Sequence, residues 1–130
     1  MKRFLTQLAV LLLLAGTCSH AQTKSETLLA NGANNEDAKA TLDLIAERAG
    51  RDKLIIMIAR QGDGETRTIN RRRLGTASQY LQNTRGIPKE RVISAESTRV
   101  RGLGKLEVYV DGKLLVVFTF RHARDFAPEG

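Results

Sequence analysis

The residues best equipped for chemistry lie close together. Asp63 sits in the turn Gln61-Gly62-Asp63-Gly64, and Asn70, Arg71, Arg72 and Arg73 follow shortly after it. A carboxylate such as Asp63 can take an ammonium group, and a planar guanidinium can take a carboxylate as a bidentate pair. The first N–H groups of a helix opened by Asn70 would add donors at the same place. Three cations at the positive end of a helix dipole repel it, which argues for an anionic partner there. Plainer roles are also open: Asp63 as the turn residue of an Asp-Gly turn, and the arginines as a solvated helix start. Arg99, Arg101 and Lys105 fall in or beside a glycine-containing loop that either extends the patch or carries ordinary surface charge.

Covalent and metal chemistry have little to work with. The chain holds one cysteine, Cys18, and two histidines, His20 and His122, with no partner at ligand spacing. There is no Gly-x-Ser-x-Gly elbow, and Glu90 and Glu96 are lone carboxylates with nothing to pair them for acid–base work. The expectation is a non-catalytic protein without metal or cofactor.

The start of the chain has the layout of a secretory signal peptide. Lys2 and Arg3 precede an apolar run from Leu5 to Ala15, interrupted only at Thr6 and Gln7, and Ser19-His20-Ala21 offers a small-x-small cleavage site. The run is too short to span a bilayer stably. Residues 1–21 are therefore expected to be removed, taking Cys18 with them; the alternative, acylation at Cys18, meets an unfavourable Thr17 directly before the cysteine. The product is expected in the periplasm or outside the cell, with no disulfide and no transmembrane helix. Without Lys2 and Arg3 the chain keeps 19 basic residues against 14 acidic, a net charge of +5. An exported basic protein meets anionic lipid, polysaccharide or cell-wall carboxylates rather than nucleic acid, although the excess could equally serve solubility.

Several elements must position the Asp63–Arg73 stretch. Residues 22–35 read as a flexible lead-in, or as one short edge strand around Leu28-Leu29-Ala30. Asn35 is an N-cap candidate followed by Glu36 and Asp37, and Leu42, Ile45, Ala46 and Ala49 recur at helical spacing before Gly50. The run from Leu54 to Ala59 reads as a strand buried on both faces. A second helix opens at Asn70, presents Leu74, Ala77, Ser78 and Leu81 on one face, and stops at Gly86-Ile87-Pro88. Tyr80 is expected to pack with its hydroxyl at the rim. Residues 91–95 form a second strand. Leu106, Val108 and Val110 alternate toward an Asp111-Gly112 hairpin signal, and Leu114 to Phe120 returns, covered on both faces or against a partner. From Arg121 the tail is charged and loose. The order implies an α+β fold, a two-layer α/β sandwich with two helices on one face of a mixed sheet of about four strands.

This chain resembles the OmpA-like, peptidoglycan-associated domain over roughly residues 38–110. The family motif Asn-x-x-Leu-Ser-x-x-Arg-Ala-x-x-Val-x-x-Tyr-Leu aligns so that Ile69 falls on its Leu, Asn70 on its Ser, Arg73 on its Arg, Leu74 on its Ala and Ala77 on its Val. Tyr80-Leu81 matches the closing Tyr-Leu, and Gly86-Ile87-Pro88 and Lys105-Leu106-Glu107-Val108 match later landmarks. The resemblance implies a β-α-β-α-β domain spanning residues 36–121, followed by a tail over 122–130. It also implies a cell-envelope protein, associated with the outer membrane, that binds the diaminopimelate-containing peptide of peptidoglycan. Asp63 and Arg73 would be the ligand-binding pair, with Asn70 beside them. The sequence departs from the family at Thr66, where the motif has Asn, and in a shorter loop after Asp63. With the added apolar strand Leu114 to Phe120, whose edge could pair with another chain, these departures support an alternative: a periplasmic protein–protein interaction module that kept the fold and lost the ligand.

Overall fold

The computed structural model describes residues 27–31, 35–121 and 126, so the expected signal segment and most of the expected tail lie outside the described residues. The first helix, α1, runs Asn35–Ala49 with Glu36 and Asp37 in its first turn and Arg48 in its last. Ala38, Leu42, Ile45 and Ala49 are its buried stripe. Gly50 ends it at φ +56, a left-handed conformation that suits glycine. Arg91 then donates to the carbonyls of Ala49, Gly50 and Lys53, placing a cation on the negative end of the helix.

Five strands form one mixed sheet: β1 Leu28–Asn31, β2 Ile55–Arg60, β3 Val92–Glu96, β4 Gly104–Val110 and β5 Lys113–Phe120. Their spatial order is β1-β5-β4-β2-β3. β1 is parallel to β5, β2 is parallel to β3, and the β2–β4 and β4–β5 pairs are antiparallel. Asp111 and Gly112 make the β4–β5 hairpin at φ +53 and +75, as a turn matched to strand twist requires.

The α+β sandwich expected from the sequence is present, with five strands rather than about four. The extra one is β1 at one edge of the sheet, the second of the two readings of residues 22–35, a short edge strand around Leu28-Leu29-Ala30. Its presence also moves β5: that strand is not an edge but lies between β1 and β4. Phe126 adds a further correction, since it is buried and meets Phe118 and Phe120 with ring centroids 5.7 and 6.0 Å away. At least this residue of the expected loose tail belongs to the core.

The strands are buried on one face only. Ile55, Met57 and Ala59 of β2, Leu106 and Val108 of β4, and Val116, Phe118 and Phe120 of β5 share a core with α1 and with Leu74, Ala77 and Leu81. Ile56 and Ile58 point the other way and are half-buried, so the expectation that β2 is covered on both faces fails. A short apolar run looks the same in sequence whether one face or two are covered.

The second helix, α2, spans Arg67–Gln79 and continues as a widened π turn over Tyr80–Thr84. It starts earlier than expected. Thr66 is the extended residue before it (φ −98, ψ 160), and the Ile69 N–H donates to the Thr66 carbonyl. Asn70 is therefore one turn inside the helix, where it shares the inward face with Leu74 and Ala77 instead of capping the entrance. The Gly86-Ile87-Pro88 stop is as expected: Gly86 sits at φ +68, and the Ile87 N–H closes on the Leu81 carbonyl.

Candidate functional site

The Asp63–Arg73 region is built where β2 ends, α2 begins and the β3–β4 loop passes over both. Gly62 lets these backbones approach closely, and Gly104 leaves room for the ends of the Glu65 and Arg73 side chains. A Cβ on Gly62 would collide with the backbone of Gly102, Leu103 and Gly104. Around this contact the two loops are laced together. The Asp63 N–H donates to the Gly102 carbonyl at 2.8 Å, and the Asp63 carboxylate accepts from the Gly102 N–H at 2.7 Å. The Val100 N–H donates to the Gln61 carbonyl. Arg99 donates to the carbonyls of Gly62 (2.8 Å) and Glu65 (3.2 Å).

Arg73 lies beneath this lacing. It is 1% exposed and is among the largest fully buried side chains. Both of its terminal nitrogens donate to Glu65, Nη1 to Oε2 at 2.8 Å and Nη2 to Oε1 at 2.7 Å, the fork-on-fork geometry expected of a strong arginine–carboxylate pair. The guanidinium carbon stands 4.0 Å from the centroid of the Phe120 ring, within cation–π range. Glu65 is completed by the Gly62 N–H at 2.9 Å. Burial alone would push its carboxyl up, but the Arg73 hydrogen bonds, the Gly62 N–H and the charges of Arg73 and Arg99 outweigh that and hold it below its ordinary value.

The three residues singled out from the sequence thus have different situations. Asp63 is exposed and occupied by Gly102. Arg73 is buried and occupied by Glu65. Asn70 is 1% exposed, and its Oδ1, like Arg73 Nε, has no hydrogen-bond partner among the described residues. Arg73 and Asn70 are shielded from solvent in this arrangement, whereas Asp63 keeps an exposed carboxylate with one oxygen on the Gly102 N–H. Of the neighbouring cations, Arg67 and Arg71 reach Glu96 at 2.6 and 3.5 Å. Arg72 and Arg101 are exposed and make no ion pair among the described residues. Tyr80 packs against the core and donates to Asp43 at 2.8 Å, a bond that, with burial behind it, raises the phenol above its ordinary value.

Sequence reasoning missed Glu65, Phe120 and the two glycines. The available signal was weak: an arginine at a helix position in phase with Leu74 and Ala77 must be buried, and a buried guanidinium needs a carboxylate. Among the described residues no group of three His, Cys, Asp or Glu side chains could hold a metal ion, and no helix is long and apolar enough to cross a membrane.

Fold and site together define a small α+β sandwich whose loop corner is locked by a buried ion pair. No family model, no curated protein and no solved structure matches the chain.

Proposed function

We propose that this is an exported, non-catalytic interaction module of the cell envelope, a protein–protein domain in which the corner expected to take diaminopimelate serves as a structural clamp. Export rests on the pattern of residues 1–21. The observation that carries the reading is the state of Arg73, buried, with both terminal nitrogens on Glu65 and its face on Phe120. A ligand carboxylate would have to displace Glu65 and leave that carboxylate without its partner, and breaking a buried pair in this way costs about 3–5 kcal/mol.

A second reading is supported by the exposed, unpaired Arg72 and Arg101. Peptidoglycan or another anionic envelope polymer would bind on the surface through these cations, weakly and with strong salt dependence.

A sacculus pull-down of the mature chain, residues 22–130, separates the readings at about 0.15 M salt. The interaction-module reading expects no retention. Retention that is lost in an Arg72→Glu, Arg101→Glu double variant would establish the surface reading. Retention that survives those changes but is lost in Arg73→Lys, which keeps the charge and removes the fork, would restore the diaminopimelate site and overturn the proposal.

A further inference from the structure

The face of the sheet turned away from the helices has the composition of an interface. Both helices pack on the side of Ile55, Met57, Ala59, Leu106, Val108, Val116 and Phe118. On the opposite side, one row of register partners crosses all five strands: Leu29, Val117, Glu107, Ile58 and Ala95. A second row joins Tyr109, Ile56 and Ile93. The open face of a sheet in water ordinarily alternates to polar residues. Here it carries Ile56, Ile58, Ile93, Val117 and Leu29, with Leu29 68% and Ile93 45% exposed. Tyr109, Ile56, Ile93, Ile58 and Ala95 form one apolar cluster and Val117 and Leu29 another, with Glu107 between them, and apolar surface of this kind marks a contact site.

The central charges on this face are paired within it, and Lys105 stands in the end row of the sheet beside Arg60 and Thr119. Arg60 donates through Nε to Glu107 at 2.9 Å and through Nη1 to Ser97 and Thr98 at 3.0 and 3.1 Å, and the Tyr109 hydroxyl donates to Glu107 at 3.2 Å. Covering a network whose donors and acceptors are paired within the molecule leaves few groups stranded, whereas covering a lone charge would be costly.

We infer that the open face binds a second copy of this chain, face to face about a two-fold axis, forming a four-layer helix–sheet–sheet–helix dimer. The inference rests on the reading of the protein as an interaction module and names its partner. Size supports this occupant. Five strands about 4.8 Å apart, with about six residues each at about 3.3 Å per residue, present roughly 480 Å² of projected face. Two such faces bury roughly 1,000 Å² before side-chain relief is added, at the lower bound of specific protein interfaces. A two-fold pairing supplies the same apolar rows from both sides, and aligned sheets pack in this way in β-sandwiches.

Sedimentation velocity of residues 22–130, from about 1 µM to about 1 mM, tests the inference. The expected result is a reversible monomer–dimer equilibrium, with the dissociation constant raised at least about tenfold by Ile58→Lys in the central row. Ile58→Thr, which keeps the β-branched shape, guards against misfolding and should raise it by a smaller factor with an unchanged circular dichroism spectrum. A monomer throughout this range would overturn the inference, as would a dimer indifferent to both substitutions. Neither result would touch the wider reading, which stands or falls on whether sacculi retain the protein.

Discussion

The clamp at Arg73 predicts a steep and asymmetric response to mutation. Glu65→Gln keeps the shape of the side chain but leaves the guanidinium, 1% exposed, without a counter-charge. Losing one partner of a buried pair costs about 3–5 kcal/mol. The Glu65 side chain keeps 12% of its exposure, so the low end, about 3 kcal/mol, applies. Arg73→Met fills much of the volume and leaves a carboxylate nearer to water, which points to about 2 kcal/mol, including the lost contact with Phe120. The double variant replaces a charged pair with uncharged groups and should cost less than the two single changes together, giving a coupling of about 2 kcal/mol. Urea denaturation followed by circular dichroism reads these values. With a slope near 1.5 kcal/mol/M for a domain of this size, Glu65→Gln should lower the midpoint by about 2 M. A loss below about 1 kcal/mol for Glu65→Gln, or strict additivity in the cycle, would refute the clamp and leave Arg73 available for a ligand.

Other consequences follow from the same geometry. Because the Glu65 carboxyl is held below its ordinary value, its contribution to stability should be complete above about pH 4.5 and disappear as pH falls through the lower folded value; the acid limb of a stability–pH profile should be shallower in Glu65→Gln. Tyr80, raised by its bond to Asp43, and Tyr109, raised by burial and by Glu107, stabilise the fold below pH 10 and lose that contribution as pH rises through their folded values, so ultraviolet titration should show both ionising late. Gly62→Ala should destabilise more than Gly104→Ala: the first meets backbone, whereas the second meets the ends of the Glu65 and Arg73 side chains, which can yield at the expense of their pairing. Asn70→Leu removes a buried acceptor with no partner and improves helix propensity, so the urea midpoint should hold or rise by the equivalent of about 1 kcal/mol. A loss above 1 kcal/mol would reveal a partner for Oδ1.

Elements with a complete local signal were legible in the sequence. α1 shows an acidic first turn, a stripe at Leu42, Ile45 and Ala49, and a glycine stop, so its bounds could be read closely. The β4–β5 hairpin announces itself through alternation and Asp111-Gly112. β1 was harder to read because four residues carry too little pattern, and the strand exists only through pairing with β5, distant in sequence. Asn70 was misplaced because asparagine favours helix caps, and here its phase with Leu74 and Ala77 prevailed over that preference. The clamp was hidden for a related reason. Glu65 and Arg73 are separated by a turn and most of two helical turns, a spacing to which no local rule applies. Phe120 reaches the same guanidinium from another strand.

The arrangement that hides Arg73 also decides where this molecule can meet others. Gly62 brings two loops into backbone contact, Asp63 and Arg99 fasten them, and the ion pair fills the space beside Gly104. A corner closed by so many mutually dependent contacts is suited to stability, since opening it would expose an arginine, a glutamate and the backbone groups they satisfy. The open face of the sheet has the opposite character. Its central charges are paired among themselves, its apolar residues lie in register, and among the described residues no helix covers them. The physical cost of contact is therefore higher at the loop corner than on the sheet face, which favours the sheet as the surface of the proposed dimer. This division is what the Glu65 cycle and the Ile58 variants test from opposite sides: the first should change stability without changing association, and the second association without changing stability.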